Sequence, residues 1–168
     1  MAGLGPGRRA AARQINYALI VQLASQFQRY CRDLHGLCAD AVLTSAEPSY
    51  QPMLRQALTS ARKLDRQNAN SGNLGHDFGL FGFRFWAAVD ALGPQYPARR
   101  RRLDQVNTWR NAIAHQDLDR LAGDPLVAGT RPDLPMFRVW RRSLDQLAGG
   151  IDRAMCTEVA DITGDWPW

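Results

Sequence analysis

No stretch of this chain approaches the roughly 20 consecutive apolar residues of a membrane-spanning helix. The run Ala18–Ala24 is short and broken by Gln22, so no membrane partner is expected. Cysteine is scarce, with only Cys31, Cys38 and Cys156. Cys31 and Cys38 are seven residues apart on one expected helix. That is roughly 10 Å along the axis, too far for a bridge, so they read as buried structural thiols. No carboxylate cluster or Cys/His grouping has metal-ligand spacing, and neither a metal nor a cofactor is expected. Strand-like alternation is missing, which excludes a sheet. Asp77-Phe78-Gly79 matches a kinase tripeptide but lacks the Gly-rich and catalytic loops that would give it meaning, and Asp77 reads as a helix cap. Lysine is nearly missing too: of 21 basic residues only Lys63 is not arginine, a bias that a GC-rich coding sequence can produce. Nothing at the start resembles a secretory leader, since Arg8 and Arg9 lead into Ala-rich amphipathic sequence, and a cytoplasmic chain is expected.

What is present is helical periodicity over 168 residues that are 45% hydrophobic, enough for one globular domain spanning 1–168. Its core is expected over about residues 11–160, with short flexible ends. Leu19 or Ile20, Leu23, Phe27, Cys31, Leu34, Cys38 and Ala41 recur at three- and four-residue steps and predict a long helix from about Ala11 to Ser45, ended by Glu47-Pro48. A second helix is expected over about Gln51–Gln67 and an Asn/Gly-rich loop over Asn68–His76. A third helix, capped by Asp77, runs to Leu92, where Gly93-Pro94 stops it. The fourth spans about Ala98–Gln116. A loop covers 117–132, and Asp133 caps a last helix through Met155, weakened by Gly149-Gly150. The expected fold is an all-α bundle of four to five helices.

The net charge of +5 favours a polyanionic partner weakly. Its distribution says more. Arg99-Arg100-Arg101-Arg102 is a solid basic block at a helix start, where cations oppose the macrodipole and a phosphate chain would suit them. Downstream lies Arg110-Asn111-Ala112-Ile113-Ala114-His115. Arg grips phosphate through a planar fork of donors, and His passes protons near neutral pH. An Arg five residues before some His arises by chance roughly a third of the time in such a composition, so the weight lies on the whole string. On an ideal helix Arg110 and His115 are about 140° apart around the axis, and they converge only if the helix bends or ends near Ala114 or His115. Trp109 beside them is a candidate base-stacking platform, or a core or dimer-interface aromatic.

The string resembles the Arg-polar-x-x-x-His motif of the HEPN superfamily, small all-α proteins many of which are RNases. The order of elements is similar too, with a long first helix, the motif late in a following helix, then one more helix. Segments such as Phe27–His35 and Leu64–Asn68 look like bacterial members that accompany defence or toxin–antitoxin loci. The resemblance covers about residues 13–158. It implies metal-independent RNA cleavage by 2′-OH attack, leaving 2′,3′-cyclic phosphate and 5′-OH ends. His115 would move protons, Arg110 would stabilise the phosphoryl oxygens, and Asn111 would orient phosphate or imidazole. Arg99, Arg100, Arg101, Arg102 and Trp109 would contact RNA.

One imidazole leaves either acid or base unassigned. A symmetric homodimer with two His115 in one cleft closes that gap, as the resemblance also implies. His35 is an alternative second imidazole, or else a partly buried helical His. An antitoxin or defence-system protein is a possible partner. Other readings stay open: Arg110 and His115 as purely structural residues, a non-catalytic HEPN-like module that binds RNA, nucleotide or protein, and a DNA-binding helical regulator. The Trp166-Pro167-Trp168 tail reads as a loose end or a peg for a neighbouring chain.

Overall fold

A computed structural model describes residues 6–168; of the flexible start expected before about residue 11, residues 1–5 lie outside them, and the first helix begins at Pro6 rather than Ala11. Among the described residues there is no strand, and no helix is long and apolar enough to cross a membrane. Six α-helices follow in order: α1 (Pro6–Ser45), α2 (Gln51–Thr59), α3 (Ser71–Gly79), α4 (Phe85–Ala91), α5 (Tyr96–Ala114) and α6 (Leu134–Thr163). Short 3₁₀ turns lie at Lys63–Asp65 and Asp119–Leu121. The all-α expectation holds; the helix count exceeds the expected four to five.

The long helices α1, α5 and α6 pack most extensively on one another and surround a single buried cluster. On α1, Ile20, Leu23, Phe27, Cys31, Leu34 and Cys38 are buried at the predicted spacing. On α6, Trp140, Leu144, Leu147, Ile151, Met155 and Val159 make a second apolar stripe, each large side chain contributing roughly 1.5–3 kcal/mol by leaving water. Asp133 caps α6 as expected, its side chain accepting from the Met136 N–H. The helix then continues through Gly149-Gly150 because the Tyr96 ring of α5 lies against Gly150, where a Cβ would overlap it. Hydrogen bonds join the three helices: the Tyr30 hydroxyl donates to the Ala148 carbonyl (2.9 Å), Arg153 Nη2 to the Tyr96 hydroxyl (2.6 Å).

Two expectations fail between residues 60 and 92. The second helix stops at Thr59 rather than Gln67, and Lys63–Asp65 forms a separate 3₁₀ turn. Asp77 caps no helix. It lies inside α3, fully buried, and its carboxylate accepts the backbone N–H groups of Lys63 and Leu64 at 2.8 Å each. A 3₁₀ turn leaves its first donors unpaired, and this distant carboxylate satisfies them. The cap of α3 is Asn70, whose side chain accepts from the Asn73 N–H, so part of the Asn/Gly-rich stretch is helical. Asp104 of α5 reinforces that end by accepting from the Ser71 N–H and hydroxyl at 2.9 and 2.7 Å. The expected third helix is interrupted at Gly82, whose φ of +92° no β-carbon-bearing residue adopts cheaply.

Candidate functional site

Arg110 lies just before the last turn of α5, Asn111 opens that turn, and His115 is the residue that caps its end. The helix stops where convergence requires it. The Asp117 N–H donates to the Ala112 carbonyl and the Gln116 N–H to the Ile113 carbonyl, a Schellman closure. Glycine normally takes the left-handed position of that motif; here Gln116 takes it, at φ 55°. The reversal turns the chain back, so Arg120 in the Asp119–Leu121 turn meets the end of α5.

These residues line one open cleft of about 320 Å³. Arg110, Asn111 and His115 line it together with Arg120 of the following turn, with Arg66, Gln67, Asn68 and Asn70 from the segment that leads into α3, and with Asn73 of α3 itself. The lining contains three arginines and no carboxylate. Among the described residues, none of Arg66, Arg110 or Arg120 has a carboxylate within ion-pair distance. Asp65, adjacent to Arg66 in sequence, is held instead by Arg62 and Arg32 at 2.8 and 3.2 Å. These guanidinium contacts, led by the Arg62 hydrogen bond, keep the Asp65 carboxyl below its usual range.

The 66–70 wall is fixed from three directions. Gln28 of α1 donates through Nε2 to the carbonyls of Leu64 (3.1 Å) and Gln67 (2.9 Å). Asn107 of α5 donates to the Ala69 carbonyl (3.1 Å), and Asn73 of α3 to the Asn68 carbonyl (2.7 Å). Across the cleft, Asn68 Nδ2 donates to Asn111 Oδ1 at 2.6 Å, and Arg110 Nη1 donates to the same oxygen at 3.1 Å. The His115 imidazole is exposed and makes no hydrogen bond among the described residues.

Other residues singled out by sequence stand elsewhere. None of Arg99, Arg100, Arg101, Arg102 or Trp109 lines the cleft. The block is 8 to 11 residues before Arg110, roughly 12–17 Å along α5. Arg99 lies over the Tyr96 ring (4.7 Å); Arg100 lies over Trp86 (4.9 Å) and pairs with Asp90 (3.3 Å). Arg101 donates to the Pro125 carbonyl and Arg102 to the Ser143 hydroxyl. Local aromatic rings and acceptors thus offset the macrodipole that opposes cations at this end. Trp109 packs on the core, and its indole N–H donates to the Thr130 hydroxyl (2.8 Å). His35 is fully buried rather than partly so, between Phe78 and Phe81, with Nε2 3.2 Å from the Asp77 carbonyl. It is not among the cleft residues. Cys31 and Cys38 are buried; burial pushes the Cys31 thiol well up and the Cys38 thiol up to about 12, which makes both inert.

Sequence reasoning missed Arg66, Asn68 and Arg120. The one available signal was Asn70 three residues before Asn73, an Asx cap that would have started α3 early and placed Asn68 beside a helix entry. Comparison of the chain with protein-family models, curated proteins and solved structures gives no match.

Proposed function

We propose that this chain is a metal-independent endoribonuclease and that Arg110, Asn111 and His115 carry the chemistry. The observation behind this reading is their meeting on one acid-free cleft, which among the described residues holds a hydrogen-bond-free imidazole and a guanidinium that no carboxylate pairs. In the proposed reaction a ribose 2′-oxygen attacks the adjacent phosphorus and the bond from phosphorus to the 5′-oxygen breaks. One proton leaves the 2′-hydroxyl and one is delivered to the 5′-oxygen, giving 2′,3′-cyclic phosphate and 5′-OH ends. An imidazole suits both transfers near neutral pH. Arg110 supplies fixed charge to the equatorial oxygens, where electrostatic stabilisation is largest.

Acid and base must act together, so the reading includes a homodimer in which a second His115 faces the first. The resemblance of the motif further supports a role in toxin–antitoxin or antiviral defence, restrained by a partner protein. A strand leaving the cleft along α5 would pass the Arg99–Arg102 block, with Trp109 nearby.

The test is cleavage of RNA in EDTA by the wild-type chain and by His115→Ala, with the product ends analysed. Cyclic phosphate ends from the wild type alone are expected, with a rate loss of at least about a hundredfold in the variant. Equal cleavage by His115→Ala overturns the mechanism. Binding without cleavage by a folded dimer transfers the site to a non-catalytic RNA-binding module.

A further inference from the structure

We propose that the cleft binds single-stranded RNA across consecutive phosphates, with Arg66 and Arg120 each gripping a phosphate neighbouring the one at Arg110. The class of ligand rests on the ribonuclease reading; the grip itself does not need cleavage.

Charge sets the requirement. A phosphodiester carries one negative charge and two free oxygens, which a single guanidinium fork satisfies. Three unpaired guanidiniums in one cleft therefore exceed what one diester needs, and they repel one another until anions arrive. The nearby carboxylates do not relieve them. Asp65 is taken by Arg62 and Arg32. Asp117, close to Arg120 in sequence, accepts the Arg120 backbone N–H and not its guanidinium. The three arginines also come from three separate segments: the wall after the 3₁₀ turn, the end of α5, and the turn beyond it.

One structural detail favours a nucleic acid strand over a bare polyphosphate, and the proposed reaction favours a single strand over a duplex. Gln67 and Asn70 line the same cleft, and the Gln67 amide and the Asn70 Nδ2 group make no hydrogen bond among the described residues. Side-chain amides of this kind pair with base edges, which a polyphosphate does not offer. Attack in line with the leaving oxygen also needs a strand free to rotate its ribose, and unpaired RNA has that freedom while an A-form duplex does not.

The experiment uses the full chain carrying His115→Ala, so that RNA survives, and follows anisotropy of a labelled single-stranded octanucleotide from about 50 to about 200 mM salt. Arg66→Ala and Arg120→Ala are each expected to weaken binding several-fold and to lower the slope of log K against log salt by about 0.7. Arg66→Lys, which keeps the charge but loses the fork, should retain the slope and lose part of the affinity. Arg29→Ala, at an exposed pair with Asp33 outside the cleft, should change neither. Thermal melts identify any variant that fails to fold, and Arg66→Gln and Arg120→Gln, which remove the charge but keep a polar side chain, then carry the slope test.

Unchanged slopes in folded Arg66→Ala and Arg120→Ala overturn the proposal. So does a dinucleoside monophosphate that binds as tightly as the octanucleotide, or inorganic triphosphate that competes as well as RNA. Reduced slopes in a chain whose wild type cleaves nothing would uphold the grip and remove the ribonuclease reading.

Discussion

Asn111 Oδ1 receives two donors, and this decides which way its amide faces. Arg110 has only N–H groups to offer, so the atom 3.1 Å from Nη1 must be the oxygen. With that oxygen fixed, Asn68 must present its NH₂ group, and the Asn111 NH₂ is turned away from both. Asn68 is therefore a positioning residue for Arg110 and Asn111. Asn68→Ala should lower the cleavage rate roughly tenfold, about 1.4 kcal/mol in the barrier, with little change in RNA affinity. A kcat-against-KM comparison checks this: a loss only in KM would contradict positioning. Gln116 holds a left-handed backbone that costs a β-carbon-bearing residue about 1–2 kcal/mol. Gln116→Gly should raise stability by about 0.5–1 kcal/mol in urea titrations, part of the relief being offset by the greater freedom of glycine in the unfolded chain.

At the level of elements, the cleft depends on how two pieces without much core of their own are held. The Lys63–Asp65 turn and the wall after it rest on Asp77, a residue of α3. Asp77→Ala leaves two backbone N–H groups without acceptors, at about 1–3 kcal/mol apiece where they stay buried. Stability should fall by a few kcal/mol in denaturant titrations, and hydrogen exchange should speed up first over residues 63–70. Uniform exchange across the chain would contradict a local clamp. The α5–α6 contact depends on Gly150. Gly150→Ala drives a methyl group into the Tyr96 ring, and overpacking of this kind costs about 1–3 kcal/mol.

For the molecule as a whole, acid stability turns on His35. Its Nε2–H donates to the Asp77 carbonyl, which leaves Nδ1 buried without a partner among the described residues. Burial is the main cause that lowers its proton affinity, helped by the Arg62 guanidinium; the hydrogen bond to the Asp77 carbonyl, then the Asp77 and Asp65 carboxylates, oppose the shift less strongly. The unfolded chain then binds a proton at His35 at a higher pH than the folded one, so stability falls as pH drops below about 6.5. Melting temperature measured from pH 8 down to pH 5 should show this decline, and His35→Gln, which keeps a donor for the Asp77 carbonyl, should flatten it. An equally steep decline in the variant would place the titration elsewhere.

Periodicity alone determined the long helices, because α1, α5 and α6 each bury one stripe against the others and a stripe is written in three- and four-residue steps. The Asp133 cap and the end of α5 were local as well, and the second of these allowed Arg110 and His115 to converge. Residues 60–92 were not legible. There the chain lacks a long apolar face, and bonds from outside the segment decide its shape: Asp104 at the start of α3, Gln28 and Asn107 on the wall, Asp77 under the turn. The composition of the cleft followed from the same long-range bonds. Arg66 and Asn68 stand more than 40 residues before the motif, and only tertiary hydrogen bonds bring Asn68 to within 2.6 Å of Asn111. A sequence records which side chains can hold a phosphate chain; the pairing of distant backbone groups decides which of them face it.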